Sequence, residues 1–177
     1  MNLLSNRLWT PRAIDALVAA VVAGYKDVSL RCDIRHTGAA SIWKDLVDAE
    51  SWQGIPPAGE TEFRADRDYA DVPEYTTEPG KALELLPVLL SWGYRAIIHT
   101  PATPDGPFRI DIVPAHGPTN AEPVASREDP MLGMGLAWAA LDLAAQRDPE
   151  RFHREVHRIA AMAASAQSAN DRVLAGV

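Results

Sequence analysis

Cysteine is nearly absent from this sequence. Cys32 is the only one in 177 residues, so no disulfide can form within the chain. This excludes a disulfide-stabilised extracellular domain, and we expect a reducing, cytoplasmic location. Long apolar runs are also missing, since no segment approaches the roughly 18 apolar residues that a membrane-spanning helix needs. The opening residues, MNLLSNRLW, lack the apolar core of a signal peptide, so we expect no secretion.

An excess of positive charge is missing as well. The net charge is −7 and the sequence pI is about 5.2, so we expect no bulk attraction to nucleic acid or to anionic lipid. Hydrophobic residues make up 47% of the chain and charged residues 23%, which is typical of a globular protein. The length of 177 residues predicts a single domain that is large enough to bury a substantial core.

Motifs for catalysis or cofactor binding are not present. The chain has no G-x-S-x-G nucleophile motif, and Gly133 and Gly135 lack the third glycine and the lysine of a phosphate-binding loop. We predict that these two glycines lie inside a helix for close packing. His153 and His157 have a spacing that zinc ligands use, but Arg154 stands where zinc proteases carry glutamate. We therefore predict no metal and no cofactor, and favour binding over catalysis, with catalysis left open.

The first part of the chain has clear periodic patterns. Thr10 and the proline after it are a helix start, and apolar residues at i, i+3, i+4, i+7 and i+8 spacing predict a helix over 11–24 that Gly24 caps. Apolar and polar residues alternate over 27–35, which predicts a half-buried strand. The following segment, 42–47, is predicted as a short helix or an irregular packed segment.

A long surface connection is predicted over 50–72, because glycines, prolines and mixed charges replace the periodic pattern. A connection of this length is either functional or mobile. Aromatic residues at Trp43, Trp52, Phe63 and Tyr69 have two interpretations. They anchor the connection to the core, or they line a ligand cleft or a subunit contact.

The second part of the chain is organised around a central helix. Thr76 or Thr77 is the predicted cap, Gly93 ends the helix, and Pro87 within it should kink or divide it. The further predicted elements are strands at 94–99 and 108–113 that form a hairpin, an edge strand within 119–125, and helices opened by Asp129-Pro130 and Asp148-Pro149. The predicted class is α+β: a small antiparallel sheet sandwiched by helices, with an additional C-terminal helix at 149–170.

Three segments resemble a known family. They are DALVA with VAGY at 15–25, P-x-Y-T-T at 73–77 before a helix rich in alanine and leucine, and the alanine-rich helix within 131–145. Their order and spacing are similar to those of small phage and prophage proteins that carry a phage ABA sandwich domain. The resemblance covers about residues 12–25 and 73–146, which leaves 27–72 as an insertion. It implies the fold above and a phage origin, and it implies no chemistry.

Charged side chains on the non-core faces of the predicted strands are the candidate site. If these strands share one sheet, several cations converge on one surface and suit an anion such as phosphate or carboxylate. The alternative is that arginine and aspartate residues form cross-strand ion pairs on a solvated face. Arg109 is the leading ligand-binding candidate because it follows a Gly/Pro-rich loop. The other candidate ligand-binding residues are Arg31, Arg35, Arg95, His99 and Trp43.

The preferred functional hypothesis is a phage-encoded accessory protein that binds and sequesters a small anionic or nucleotide-like host signal. The alternative is an interaction module that inhibits or redirects a host protein. A hydrolase that uses His99, Asp111 and a serine is a third hypothesis. We also predict a homo-oligomer, because the alanine-rich helices at 136–145 and 159–169 permit close approach.

Overall fold

Helices and strands are mixed along the chain in an α+β arrangement, as predicted. The computed structural model describes residues 9–36, 43–57, 69–118 and 120–174, with the side chains of 31–36, 43–50, 167 and 169–174 outside the description. The elements are α1 (Pro11–Val18), β1 (Lys26–His36), β2 (Trp43–Ile55), β3 (Ala70–Asp71), α2 (Pro79–Leu83), α3 (Leu85–Ser91), β4 (Tyr94–His99), β5 (Phe108–Pro114), β6 (Ala125–Asp129), α4 (Leu132–Arg147) and α5 (Pro149–Leu174). In place of the one sheet predicted, the described residues form two three-stranded antiparallel sheets, β1-β2-β3 and β4-β5-β6.

The first helix begins and ends where the sequence predicts. Thr10 Oγ1 accepts a hydrogen bond from the backbone N–H of Ala13 at 3.2 Å, which satisfies one of the free donors at the start of α1. The helix continues past Val18 as a π-helical segment, Ala19–Ala23, and Gly24 ends it with a φ of 83°. Positive φ is accessible to glycine because it has no Cβ, so Gly24 lets the chain turn directly into β1.

The first sheet corrects two predictions. Residues 43–47 belong to β2 rather than to a helix or an irregular segment, because they pair with the end of β1. The predicted surface connection over 50–72 is wrong at its start, since β2 continues to Ile55 and Trp52 is completely buried. Gly54 is not a loop signal here. A Cβ at Gly54 would lie 3.0 Å from Val28 Cγ2, so glycine lets β2 approach β1 closely.

The predicted division of the central helix is confirmed. α2 ends at Leu83 and α3 begins at Leu85, because Pro87 has no N–H to donate to the carbonyl one turn earlier and its ring clashes there. The predicted threonine cap is wrong, since the helix begins at Pro79. The backbone N–H of Thr76 instead donates to Asp15 Oδ1 at 2.8 Å, in α1.

The second sheet follows directly from α3. Its first two strands form the predicted antiparallel hairpin, with His99 opposite Arg109. β6 pairs with β5 and lies at an edge, but it begins at Ala125, where the predicted strand ends. α4 packs against β5 and β6 and thereby covers the inner face of this sheet.

The two C-terminal helices begin differently. Asp148 caps α5 as predicted, because its Oδ1 accepts from the backbone N–H of Arg151 at 2.9 Å. Asp129, in contrast, ends β6, and α4 begins three residues later at Leu132. Alanines of α4 lie inside the chain's own core, so the argument for a dimer through 136–145 does not hold: these are Ala137, Ala139, Ala140 and Ala144. Self-association itself stays a prediction.

Candidate functional site

The predicted site residues fall on two different sheets. Arg31 and Arg35 lie on β1 and Trp43 begins β2, in the first sheet, and their side chains are outside the description. Arg95, His99 and Arg109 lie on β4 and β5, in the second sheet. The predicted convergence of all the arginines on one sheet is therefore wrong, because β1 pairs with β2 and not with β4 or β5.

A carboxylate organises the outer face of the second sheet, the face opposite α4. Asp111 lies here because it alternates with the buried Ile110 and Ile112 along β5. Its Oδ2 is 2.9 Å from His99 Nε2, and its Oδ1 accepts from Arg109 Nε at 3.1 Å and from Ser126 Oγ at 2.6 Å. These four residues, Asp111, His99, Arg109 and Ser126, are called the Asp111 cluster.

The Asp111 cluster has little net positive charge. Burial alone would raise the pKa of Asp111, but hydrogen bonds from Ser126, Arg109 and His99 outweigh it and hold that pKa below its usual value of 3.8. Because Asp111 is ionised above this pKa, it forms an ion pair with Arg109. A second carboxylate, Glu128, lies opposite Arg109 in the strand register. This is the ion-paired face that the sequence leaves as the alternative, and it favours anions weakly.

Arg95 shares the outer face but does not join the cluster. Its NH2 group donates to the carbonyl oxygen of Gly117 at 3.3 Å, in the turn after β5. Its Nε is buried and has no hydrogen-bond partner among the described residues. Arg95 thus supports this turn, and it lies opposite Val113, which is almost completely buried on this face.

The residues of the hydrolase hypothesis, His99, Asp111 and a serine, do lie close together, but their arrangement differs from that of a catalytic triad. In a nucleophile–histidine–carboxylate arrangement the imidazole lies between the hydroxyl and the carboxylate and takes the hydroxyl proton. Here Asp111 lies between Ser126 and His99 and contacts both. The imidazole is thus not placed to activate Ser126 as a nucleophile.

The lowered pKa of Asp111 predicts a pH-dependent contribution to stability. The folded-state pKa lies below the unfolded value of 3.8, so the contribution is present above pH 3.8 and is lost as the pH falls through the folded-state pKa. We expect Asp111→Asn to lower the free energy of unfolding by about 1–3 kcal/mol near neutral pH, and by less below pH 3.8. Urea denaturation of both proteins across this range measures the difference, and a constant difference contradicts the assignment.

A concave site lies elsewhere, where helices end. It is a pocket of about 270 Å³ between the π-helical segment, the end of α3 and the junction of α4 with α5, and is called the helix-junction pocket. Its apolar side is formed by the buried Val21, Ala144 and Phe152. The rest of its lining is polar or aromatic: Trp92, Arg147, Asp148 and Arg151.

Both arginines of the pocket are held in place by backbone carbonyl groups. Arg147 NH1 donates to the carbonyl oxygen of Trp92 at 3.1 Å, and its guanidinium carbon lies 4.7 Å from the centre of the Trp92 ring. Arg151 NH2 donates to the carbonyl oxygen of Ala20 at 2.6 Å. These contacts use only some of the guanidinium N–H donors, so others stay available on each side chain.

Neither arginine is neutralised by a carboxylate among the described residues. The Asp148 side chain accepts from the backbone N–H of Arg151 and makes no ion pair with either guanidinium group. Arg95 also lacks a described carboxylate partner, whereas five other described arginines pair with one: Arg12, Arg109, Arg127, Arg154 and Arg158. Acidic residues outnumber basic ones by 24 to 17 in this chain, so two unneutralised arginines beside a concave surface indicate an anion site.

Sequence reasoning misses the helix-junction pocket. Arg147 and Arg151 belong to no motif, and Trp92 and Val21 are far from them along the chain. The available signal is the pair of arginines on either side of Asp148 and its proline, where one predicted helix ends and another begins. Arginines at such a junction lie near the ends of packed helices, where pockets occur.

Comparison with known proteins adds no assignment. No protein-family model, curated protein or solved structure matches the chain. The resemblance to phage ABA sandwich proteins therefore stays a prediction. His153 and His157 are exposed on α5, and within the described ranges no group of three His, Cys, Asp or Glu side chains could hold a metal ion. None of the described helices has the length and apolarity needed to cross a membrane.

Proposed function

We propose that this protein binds a small anionic ligand in the helix-junction pocket and acts by holding it rather than by transforming it. The observation that carries the proposal is the pair of unneutralised guanidinium groups, on Arg147 and Arg151, beside the apolar wall of the pocket. Guanidinium groups suit anions because their planar N–H donors match the oxygens of phosphate and carboxylate.

Preorganisation of the arginines supports binding. Arg147 is stacked on Trp92 and bonded to its carbonyl group, so it loses little side-chain freedom when a ligand arrives. The N-terminus of α5 adjoins the pocket and adds partial positive charge. Asp148 repels an anion, but it is one negative charge against the two positive charges of the arginines. Its carboxylate is also exposed and engaged as the helix cap.

The pocket lining also accounts for binding without reaction. It contains no histidine, serine or cysteine among its described residues, and its carboxylate, Asp148, already caps a helix. Such a pocket retains a ligand without supplying a nucleophile. If the chain is phage-encoded, as the resemblance implies, this property fits a protein that sequesters an anionic host signal and so counters a defence response.

Loss of either pocket arginine should weaken ligand binding. Arg147→Ala or Arg151→Ala removes a charge-assisted hydrogen bond of roughly 1.5–3 kcal/mol, which corresponds to about ten- to a hundred-fold in affinity. Arg154→Ala is the matched control, because this arginine lies on α5 with 65% of its side chain exposed and pairs with Glu155. The measurement is isothermal titration calorimetry with inorganic phosphate, phenyl phosphate, phenyl sulfate and benzoate, alongside melting curves.

Two outcomes count against this proposal. The first is that the wild-type protein binds none of these anions. The second is that Arg154→Ala weakens binding as much as Arg147→Ala does, which would show a general charge effect and no local site.

Protein binding is the second candidate function, and a surface feature favours it. Leu83 and Leu90 on α2 and α3 are 40% and 59% exposed, and Pro87 is exposed between them at helical spacing. A second copy of the chain would bury these leucines. Light scattering should then give a dimer for the wild type and a 19.2 kDa monomer for Leu90→Glu. A monomeric wild type removes the second copy as the occupant of this surface.

A further inference from the structure

We infer that the anionic group bound in the helix-junction pocket is the dianionic form of a phosphate monoester that carries a small apolar body. This inference rests on the proposed function and names the ligand class. Its basis is the match between the charge, the volume and the polarity of the pocket and those of such a ligand.

Charge is the first reason. Arg147 and Arg151 both lack a carboxylate partner among the described residues, and Asp148, the carboxylate of the lining, is engaged as the helix cap, so a doubly charged group can pair with both guanidinium groups. A phosphate monoester carries a charge of about −1.5 to −2 near neutral pH and has three terminal oxygens. It can therefore accept hydrogen bonds from both arginines at once, whereas a carboxylate has two oxygens and one charge.

Volume and polarity are the second reason. The pocket of about 270 Å³ has room for a phosphate group with a small body attached. Val21, Ala144 and Phe152 supply buried apolar surface to the lining, and an apolar body can pack against it. Of the predicted nucleotide-like ligand, the lining accounts for the phosphate end, since the two arginines supply the charge that a phosphate group needs.

Protein groups that titrate near the pocket are few. Asp148 is the carboxylate of the lining, beside the two arginines. Glu150 and His153 are the nearest titratable side chains along α5, and both are exposed and outside the lining. A pH dependence of binding therefore comes from the ligand, from Asp148 or from these two neighbours, and the controls must separate them.

Phenyl phosphate and phenyl sulfate form a matched pair that tests the inference. The esters have the same shape, but the phosphate has a second pKa of about 6 and the sulfate stays a monoanion. Calorimetry uses the wild-type protein at about pH 7.5 and pH 5.0, so no result depends on a variant that fails to fold. At about pH 7.5, we expect phenyl phosphate to bind about tenfold more tightly than phenyl sulfate. At about pH 5.0, we expect phenyl phosphate to bind about tenfold more weakly than it does at the higher pH. Phenyl sulfate should bind equally at both.

Phenyl sulfate controls for the titration of the protein as a whole, and Asp148→Asn separates the ligand's titration from that of Asp148. Asparagine caps helices as well as aspartate does, so α5 keeps its start while the titratable charge is removed. The pH dependence of phenyl phosphate binding should persist in this variant. Loss of the dependence in Asp148→Asn, or an equal dependence for both esters, overturns the assignment to a phosphate dianion.

Failure of this inference is distinguishable from failure of the proposed function. Equal affinity for phenyl sulfate and phenyl phosphate leaves an anion pocket but overturns the phosphate class. No binding of either ester overturns both. A tyrosine-phosphorylated hexapeptide identifies the source of the phosphate: tighter binding than phenyl phosphate points to a modified protein, and equal or weaker binding points to a small metabolite.

Discussion

Gly133→Ala should lower the free energy of unfolding by about 1–3 kcal/mol, and by more if the helix cannot move. A Cβ at this position of α4 would lie 2.6 Å from the carbonyl oxygen of Tyr75 and 2.7 Å from that of Thr76. These are backbone atoms, so no side chain can rotate away to make space. The helix would have to separate from the segment before α2, and buried contacts would be lost along it.

Gly80→Ala is the control for this substitution. Gly80 lies in α2, and a Cβ there would have no atom within 4 Å. Alanine in a helix is favoured over glycine by about 0.5–1 kcal/mol, so this variant should be as stable as the wild type or slightly more so. Urea denaturation of the three proteins gives the comparison. Equal stability of Gly133→Ala and wild type would mean that α4 does not pack closely against Tyr75 and Thr76.

Asp15→Ala should be the most destabilising single change in the first helix, with a loss of about 3–5 kcal/mol. Asp15 is completely buried in α1, where its Oδ1 accepts from the backbone N–H of Thr76 at 2.8 Å and its Oδ2 accepts from Arg12 NH1 at 3.0 Å. Arg12 NH2 also donates to the carbonyl oxygen of Val72 at 2.9 Å. The substitution therefore leaves a buried amide without its acceptor and removes the contact between Asp15 and the guanidinium group of Arg12.

The pKa of Asp15 adds a second readout. Burial raises it above 3.8, although the bonds from Thr76 and the charge of Arg12 act in the opposite direction. Since the folded-state pKa exceeds the unfolded one, the contribution of this titration is greatest below pH 3.8 and falls as the pH rises through the folded-state pKa. Asp15→Asn should remove this pH dependence of the free energy of unfolding. It should also lower that free energy by less than Asp15→Ala does, because asparagine keeps an acceptor for the backbone N–H of Thr76.

An exposed ion pair is the control for Asp15→Ala. Glu84→Ala removes the Lys81–Glu84 pair, whose side chains are 44% and 55% exposed, and should cost under about 1 kcal/mol. Thermal and urea denaturation measure both changes. If Asp15→Ala lowers the free energy of unfolding by as little as Glu84→Ala does, the contacts of Asp15 do not stabilise the packing of α1 against the segment before α2.

Local signals predicted much of the fold. The Thr10 cap, the break caused by Pro87 and the cap at Asp148 each depend on a few adjacent residues, so the sequence shows them directly. β2 was missed because its pairing with β1 is not local, and because Gly54 was interpreted as a loop residue. The burial of Asp15 could not be predicted either, since its partner Thr76 is 61 positions away.

The site was only partly predictable for the same reason. Alternation along β4 and β5 correctly places His99 and Arg109 on one face. It does not decide between an anion site and an ion-paired face, and the structure gives the second, because Asp111 pairs with Arg109 and reduces its attraction for anions. The helix-junction pocket depends on four separate elements, and the packing that brings Trp92 to Arg147 leaves no pattern in the sequence.

The central claim is that the helix-junction pocket binds an anion, and nuclear magnetic resonance tests it most directly. Phenyl phosphate is added to isotope-labelled wild-type protein, and the chemical shifts of backbone amides and indole N–H groups are followed. We expect the largest changes at Val21, Trp92 and Phe152, which line the pocket. Changes confined to His99 and Arg109, or no changes at saturating concentration, contradict this account.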